Sequence, residues 1–133
     1  MKLIRKDTDY AVRAIAFLAK NTNRFCSSSE ISKNANVPLS YLRRILQTLV
    51  KEGFVESKEG IKGGLKLIKS PKEINLANLI NIFQGTFELS DCMFRKKICE
   101  NRAHCPLRKA IKRIEDKITK EVKGITIAKL LGK

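Results

Sequence analysis

Residues 37–53 read Val-Pro-Leu-Ser-Tyr-Leu-Arg-Arg-Ile-Leu-Gln-Thr-Leu-Val-Lys-Glu-Gly. Leu42, Ile45, Leu46 and Leu49 recur at spacings of three and four, the period of one helical face. Ser40, Arg43, Arg44, Gln47 and Lys51 fall on the opposite face and must point outward. Gly53 follows where a helix C-terminus favours a left-handed residue. Just upstream, Ser27-Ser28-Ser29-Glu30 has the S-x-x-E spacing of a capping box, in which Ser27 and Glu30 satisfy each other's backbone N–H. A short helix follows, with Ile31 and Ala35 inward, ending near Asn34–Asn36. Two helices joined by a few residues, the second with bases on its open face, form a helix-turn-helix pattern.

Downstream, Phe54–Ser57 and Leu65–Ile68 read as short strands. The Lys58-Glu59-Gly60-Ile61-Lys62-Gly63-Gly64 stretch between them has the glycines a tight hairpin needs. The expected fold is mainly α with a small β-hairpin wing. Further out, Asp7 or Thr8 is expected to cap a first helix running to about Asn21, with Ala11, Ile15 and Leu18 inward. Asn75 is expected to cap a fourth helix with Leu76, Leu79, Ile80 and Phe83 inside and Gly85 at its end. Residues 86–105 hold no period and read as a functional loop. Pro106 is placed to be the first residue of a long last helix. Its narrow apolar stripe, Leu107, Ile111, Ile114, Ile118 and Val122, opposes a face of Lys and Arg. So thin a stripe buries little against its own domain, and a second copy of the chain is its natural cover. Thr126 can cap a terminal turn with Ile127, Leu130 and Leu131. The division expected is a winged-helix domain over 1–85, a cysteine loop over 86–105, and a dimerisation helix with its tail over 106–133.

Lys and Arg number 28 against 13 Asp and Glu, a formal net charge of +15 over 133 residues. Such an excess favours a polyanionic partner, because each neutralised phosphate releases counterions. The excess is spread along the chain, so charge alone does not mark a nucleic-acid domain. Position does: Arg pairs bidentately with guanine, Gln with adenine, and Ser serves phosphates or bases. Lys58 and Lys62 of the wing are placed for a minor groove or phosphates. Duplex DNA is therefore the expected partner. No stretch is long and apolar enough to span a bilayer, no signal-peptide pattern is present, and a cytoplasmic location is expected. There is no nucleotide-binding glycine loop, no Ser-His-Asp set and a single His, so no enzyme is expected.

Cys92, Cys99 and Cys105 fall at C-x6-C-x5-C spacing. In a reducing compartment such clustering points to metal or redox chemistry rather than disulfides. Zinc knuckles show tight C-x2-C pairs, so the wide spacing leans toward an iron–sulphur cluster, with a metal-free thiol switch second. Arg95, Lys96, Lys97 and Arg102 surround these thiols and favour thiolates. Cys26 stands apart and reads as a small hydrophobe. A fourth ligand is open: His104 adjoins Cys105, and Asp7 or Asp9 serves only if a partner subunit brings it over, their ordinary role being helix capping.

The chain resembles the Rrf-two type winged-helix regulators along almost its whole length. The likeness rests on Asp9-Tyr10-Ala11-Val12-Arg13-Ala14, Val37-Pro38-Leu39-Ser40-Tyr41-Leu42, Gly53-Phe54-Val55, Gly60-Ile61-Lys62-Gly63-Gly64, the three cysteines and Ile125-Thr126-Ile127. That resemblance implies a homodimer held by the last helices and a near-palindromic operator read by Ser40, Tyr41, Arg43, Arg44, Gln47 and Lys51. It also implies an iron–sulphur cluster on Cys92, Cys99 and Cys105. Members that use a His three residues after the last cysteine are not matched, because Arg108 stands there. Members that sense nitric oxide use an Asp near the start of the first helix, donated by the other subunit, and Asp9 matches it. The resemblance thus implies a four-iron cluster on the three cysteines and Asp9, a two-iron cluster being the variant. Glu59 stands where many members carry Arg before the wing glycines, which leaves Lys58 and Lys62 as the wing's cations.

Overall fold

The computed structural model describes residues 2–85, 89 and 105–132. Among these, the order is α1 (Lys6–Lys20), α2 (Ser28–Ala35), α3 (Leu39–Lys51), β1 (Val55–Lys58), β2 (Gly64–Leu67), α4 (Leu76–Gln84), α5 (Pro106–Gly124) and α6 (Ile127–Leu130). The mainly helical fold with one antiparallel hairpin is as expected. Its core joins Ala11, Ala14, Ile15 and Leu18 of α1 to Ile31 of α2 and to Leu42, Ile45, Leu46 and Leu49 of α3. All four expected residues of the α3 stripe are buried. Each fully buried Leu or Ile contributes about 1.5–3 kcal/mol, so this stripe alone fixes how α3 lies.

Local signals explain most helix ends. The Ser27 side chain accepts the Glu30 N–H at 3.1 Å, and Asn36 closes α2 in the left-handed region at φ 55°, which Asn tolerates. The Glu30 carboxylate pairs with Arg24 at 2.7 Å, where the sequence pattern had it reaching back to its own cap. Asn75 and Asn78 form a reciprocal capping box at the start of α4, and the Thr126 side chain accepts the Lys129 N–H. Pro106 is the first residue of α5.

α1 departs from expectation. It starts at Lys6 after Arg5, with no side-chain cap, and neither Asp7 nor Thr8 serves as one. Thr8 is fully buried and donates its hydroxyl to Gln84 Oε1 at 2.6 Å. Gln84 Oε1 also accepts the Arg5 N–H at 2.8 Å, so the end of α4 caps the start of α1 from across the fold.

The strands lie one residue off the expected bounds. Val55 pairs with Leu67 and Lys58 with Gly64. Register is set from outside the hairpin: Cys26 N–H donates to Leu65 O at 2.8 Å and Leu65 N–H to Cys26 O at 2.7 Å. A Cβ on Gly64 would overlap the Cys26 carbonyl, and its φ of 139° excludes most side chains. The wing is thereby pinned to the chain entering α2.

α4 presents two faces. Leu79 joins the main core, whereas Ala77 and Ile80 pack with Val122 of α5. Leu76 and Phe83, expected inside, are half-buried. Of the α5 stripe, Val122 is buried, Ile111 and Ile118 are half-buried, and Ile114 and Leu107 remain 47% and 70% exposed. Backbone bonds then stitch the chain after α5 to the start of α4: Leu76 N–H to Ile125 O at 2.8 Å and Ile127 N–H to Ile74 O at 2.9 Å. Among the described residues no helix is long and apolar enough to cross a membrane.

Candidate nucleic-acid interface

The turn between α2 and α3 is only Asn36-Val37-Pro38, and the chain after it has one apolar and one polar face. Ser40, Tyr41, Arg43, Arg44, Gln47 and Lys51 are all exposed on the face opposite the buried leucines. Two grooves of about 380 and 390 Å³ flank the helix and divide four of these residues. Arg43 and Gln47 line one groove together with Ser57 of the wing and Ser28 of α2. Tyr41 and Arg44 line the other with Asp7 of α1 and Phe83 of α4.

Tyr41 is the hub of the second side. Its ring meets Tyr10 edge-on at 5.9 Å between centroids. The Arg44 guanidinium lies 5.1 Å and the Lys6 ammonium 5.9 Å from the Tyr41 centroid. Such contacts contribute about 0.5–1 kcal/mol each at exposed sites, enough to bias the Arg44 rotamer toward one orientation. Sequence reasoning did not assign Lys6 or Tyr10 to this interface. Their i, i+4 spacing puts them on one face of α1, but only the crossing of α1 and α3 shows what that face meets.

In the wing, Lys58 ends β1 with its ammonium 5.6 Å from the Phe25 ring centroid, and Lys66 sits at the same distance. Lys62 lies at the hairpin turn beside Ile61, which is fully exposed. The two wing lysines are thus not equivalent: Lys58, paired with Gly64 where the ladder meets the turn, lies over Phe25, a residue the sequence reading missed, and Lys62 lies in the turn itself.

Of the expected metal ligands, Cys92 and Cys99 lie outside the described residues. Cys105 is a free, half-buried thiol at the N-cap of α5. Asp9 sits in the first turn of α1, 3.2 Å from Arg13, with the two side chains 45% and 44% exposed. Among the described residues no group of three His, Cys, Asp or Glu side chains is close enough to hold a metal ion. Cys26 is fully buried, as its reading as a small hydrophobe required. Burial pushes its thiol up from the ordinary value, with Glu30 adding to the rise and Arg24 opposing it. The Arg24 hydrogen bond holds the Glu30 carboxyl below the usual carboxylate range.

A helix-turn-helix with an exposed basic face, followed at once by a two-stranded wing, defines a winged-helix DNA-binding protein. The chain matches the Rrf2 family, described as an iron-dependent transcriptional regulator, over residues 4–133. It belongs to the Rrf2 family of DNA-binding transcriptional regulators, whose similar members are regulators and not enzymes. It is similar to the HTH-type transcriptional regulator NsrR of Bacillus licheniformis, 33% identical over 91 residues, covering 68% of this chain and 64% of that one. Its fold is similar to that of T. potens IscR, with a TM-score of 0.76 at 21% identity, covering 99% of this chain and 87% of the other. It is likewise similar to CymR, the global cysteine regulator of B. subtilis, with a TM-score of 0.80 at 23% identity, covering 98% and 96%.

Proposed function

We propose that this chain is a homodimeric transcription repressor that binds a near-palindromic operator and carries an iron–sulphur cluster, preferably four-iron, on Cys92, Cys99, Cys105 and the partner subunit's Asp9. The observation that carries the reading is the place of Cys105. It caps the helix whose apolar stripe stands exposed at Leu107 and Ile114, so a ligand there sits beside the face a second copy would cover. Similarity to NsrR and the iron-dependent family description support it further. The donors fit: a half-buried thiol is a soft ligand, and the Asp9 carboxylate is accessible. When bound, such a cluster supplies a centre that nitric oxide, oxygen or iron shortage alters.

The protein's own part is positional. Residues 1–85 read DNA, residues 86–105 hold the thiols, and residues 106–133 join the copies. Arg43, Arg44 and Gln47 reach base edges, Ser40, Tyr41 and Lys51 fix the helix on the backbone, and Lys58 and Lys62 follow the flanking strand. Two α3 helices fit successive major grooves only when held roughly 34–36 Å apart. Ligation by Cys105 of one copy and Asp9 of the other joins α5 to α1, and α1 contacts α3 through Tyr10 and Tyr41. Loss of that ligation changes the spacing and hence the affinity.

A metal-free, thiol-responsive regulator is the second reading, and the Asp9–Arg13 pair favours it, since it engages the proposed fourth ligand within its own chain. A half-exposed pair of this kind is worth about 0.2–1 kcal/mol, too little to withhold Asp9 from a cluster. Anaerobic purification with an absorption spectrum and iron and sulphide counting separates the two. The first reading expects visible absorption that Cys99→Ala abolishes. A colourless wild-type protein whose operator binding ignores iron establishes the second.

A further inference from the structure

A pocket of about 720 Å³ opens between the start of α1 and the α2–α3 turn, and neither Gln47 nor a wing residue is part of its described lining. Lys2, Arg5, Lys6, Arg13 and Lys33 line it, with Asp9 as its one carboxylate among the described residues. Arg13 pairs with Asp9 in the single chain and would be freed as a further cation of the pocket if a partner's cluster took Asp9, and the Arg5 guanidinium donates to Phe83 O at 3.1 Å. Lys2, Lys6 and Lys33 are left without an ion-pair partner among the described residues. The pocket therefore keeps a strong positive excess, and an open, cationic concavity of this kind takes an anion.

Its location selects the anion. Val37 and Pro38 form part of the wall, and Pro38 is the residue from which α3 starts. Lys6 also touches the ring of Tyr41, whose other cation is Arg44. The basic surface is thus continuous from the α3 face, across Tyr41, into the pocket. When the N-terminal end of a recognition helix enters a major groove, the strand bordering the groove passes beside that end. We infer that this pocket is a clamp for a backbone phosphate of duplex DNA, with Lys6 and Lys33 as the principal donors and Lys2 in support. The inference rests on the DNA-reading role of α3 and adds a sequence-independent contact to it.

The clamp predicts a salt dependence. Each phosphate contact contributes about 0.9 to the slope of log binding constant against log salt concentration. The test titrates full-length wild type, Lys6→Ala, Lys33→Ala and the double variant against a mixed-sequence duplex and an operator duplex at several salt concentrations. Lys117→Ala, an exposed lysine of α5, removes the same charge elsewhere. The expected result is a slope lower by about 0.9 for each single variant and about twice that for the double, equal on both duplexes, with Lys117→Ala unchanged. An unchanged slope in the double variant, or an equal drop in Lys117→Ala, overturns the clamp while leaving the reading of α3 intact. Tight binding of inorganic phosphate that DNA does not displace assigns the pocket to a free ligand and overturns the clamp as well. Failure of the wild type to bind either duplex overturns both.

Discussion

The buried hydroxyl of Thr8 donates to the side-chain oxygen of Gln84 at 2.6 Å, joining the first turn of α1 to the last residue of α4. The same Gln84 amide accepts the Arg5 N–H and donates to Leu3 O at 3.0 Å. One side chain thus closes a helix start that has no cap of its own. Gln84→Ala leaves a buried hydroxyl and a helix-end N–H unpaired, so a loss of about 2 kcal/mol is expected, within the range for orphaned buried polar groups. Thr8→Val removes the other partner, and the double variant is expected to lose less than the sum of the singles. Urea denaturation should show a lower midpoint with unchanged slope. Additive losses would mean the two side chains act independently.

This contact also marks where sequence reasoning ends. Ser27, Asn75, Thr126 and Pro106 are legible as helix starts because each acts on residues within one turn of itself. Thr8 and Asp7 carry the same local signal, yet the N–H at the α1 start is satisfied by Gln84, 79 residues from Arg5. The hairpin is legible from its glycines, but its exact bounds depend on the bridge from Cys26 to Leu65. In the candidate interface, Ser40, Arg43, Arg44 and Gln47 follow from helical period alone. Lys6, Tyr10 and Phe25 do not, since each acquires its contact only when another element packs on it.

Gly64 and Gly60 are both at positive φ but differ in surroundings. A Cβ at Gly64 would collide with the Cys26 backbone, whereas nothing lies within 4 Å of one at Gly60. Gly60→Ala is expected to cost only the strain of its backbone, about 1 kcal/mol. Gly64→Ala adds overpacking against a main chain that cannot rotate away, for a total of roughly 2–4 kcal/mol. Thermal melts of the two variants check the order. Because the Cys26–Leu65 bridge pins the wing, Gly64→Ala should also weaken DNA binding more than Gly60→Ala does.

Cys26 offers a pH-dependent signature. Burial raises its folded-state thiol above the ordinary value of 9.0, so in this region of pH the unfolded chain ionises first. Its contribution to stability is whole below the unfolded thiol's value and is lost as pH rises from there toward the raised folded value. Iodoacetamide at pH 8 should therefore spare Cys26 in the folded apo protein and modify it in urea, while the half-buried Cys105, with no cluster bound, reacts in both. Mass spectrometry of the labelled peptides gives the result. Equal labelling of Cys26 in native and unfolded protein would mean that the α1–α2 connection opens readily and that the wing is not held there.

The α5 stripe tests the assembly. Val122 is already packed on Ala77 and Ile80, so a charge there would unfold the chain as well as separate copies. Ile114 is 47% exposed and Leu107 is 70% exposed in the single chain, and neither belongs to a buried cluster among the described residues. Ile114→Asp should therefore leave monomer folding within about 0.5 kcal/mol of wild type, as surface changes do. In a dimer it would place a carboxylate in an apolar seam, where an unpaired charge is strongly unfavourable. Sedimentation velocity is expected to show wild type as a dimer and Ile114→Asp as a folded monomer with normal far-ultraviolet circular dichroism. The monomer should keep weak salt-sensitive DNA binding and lose preference for two-half-site operators, because one α3 helix reads one half-site. A variant that still sediments as a dimer would move the seam off this stripe, and with it the reason for placing Cys105 beside the joint.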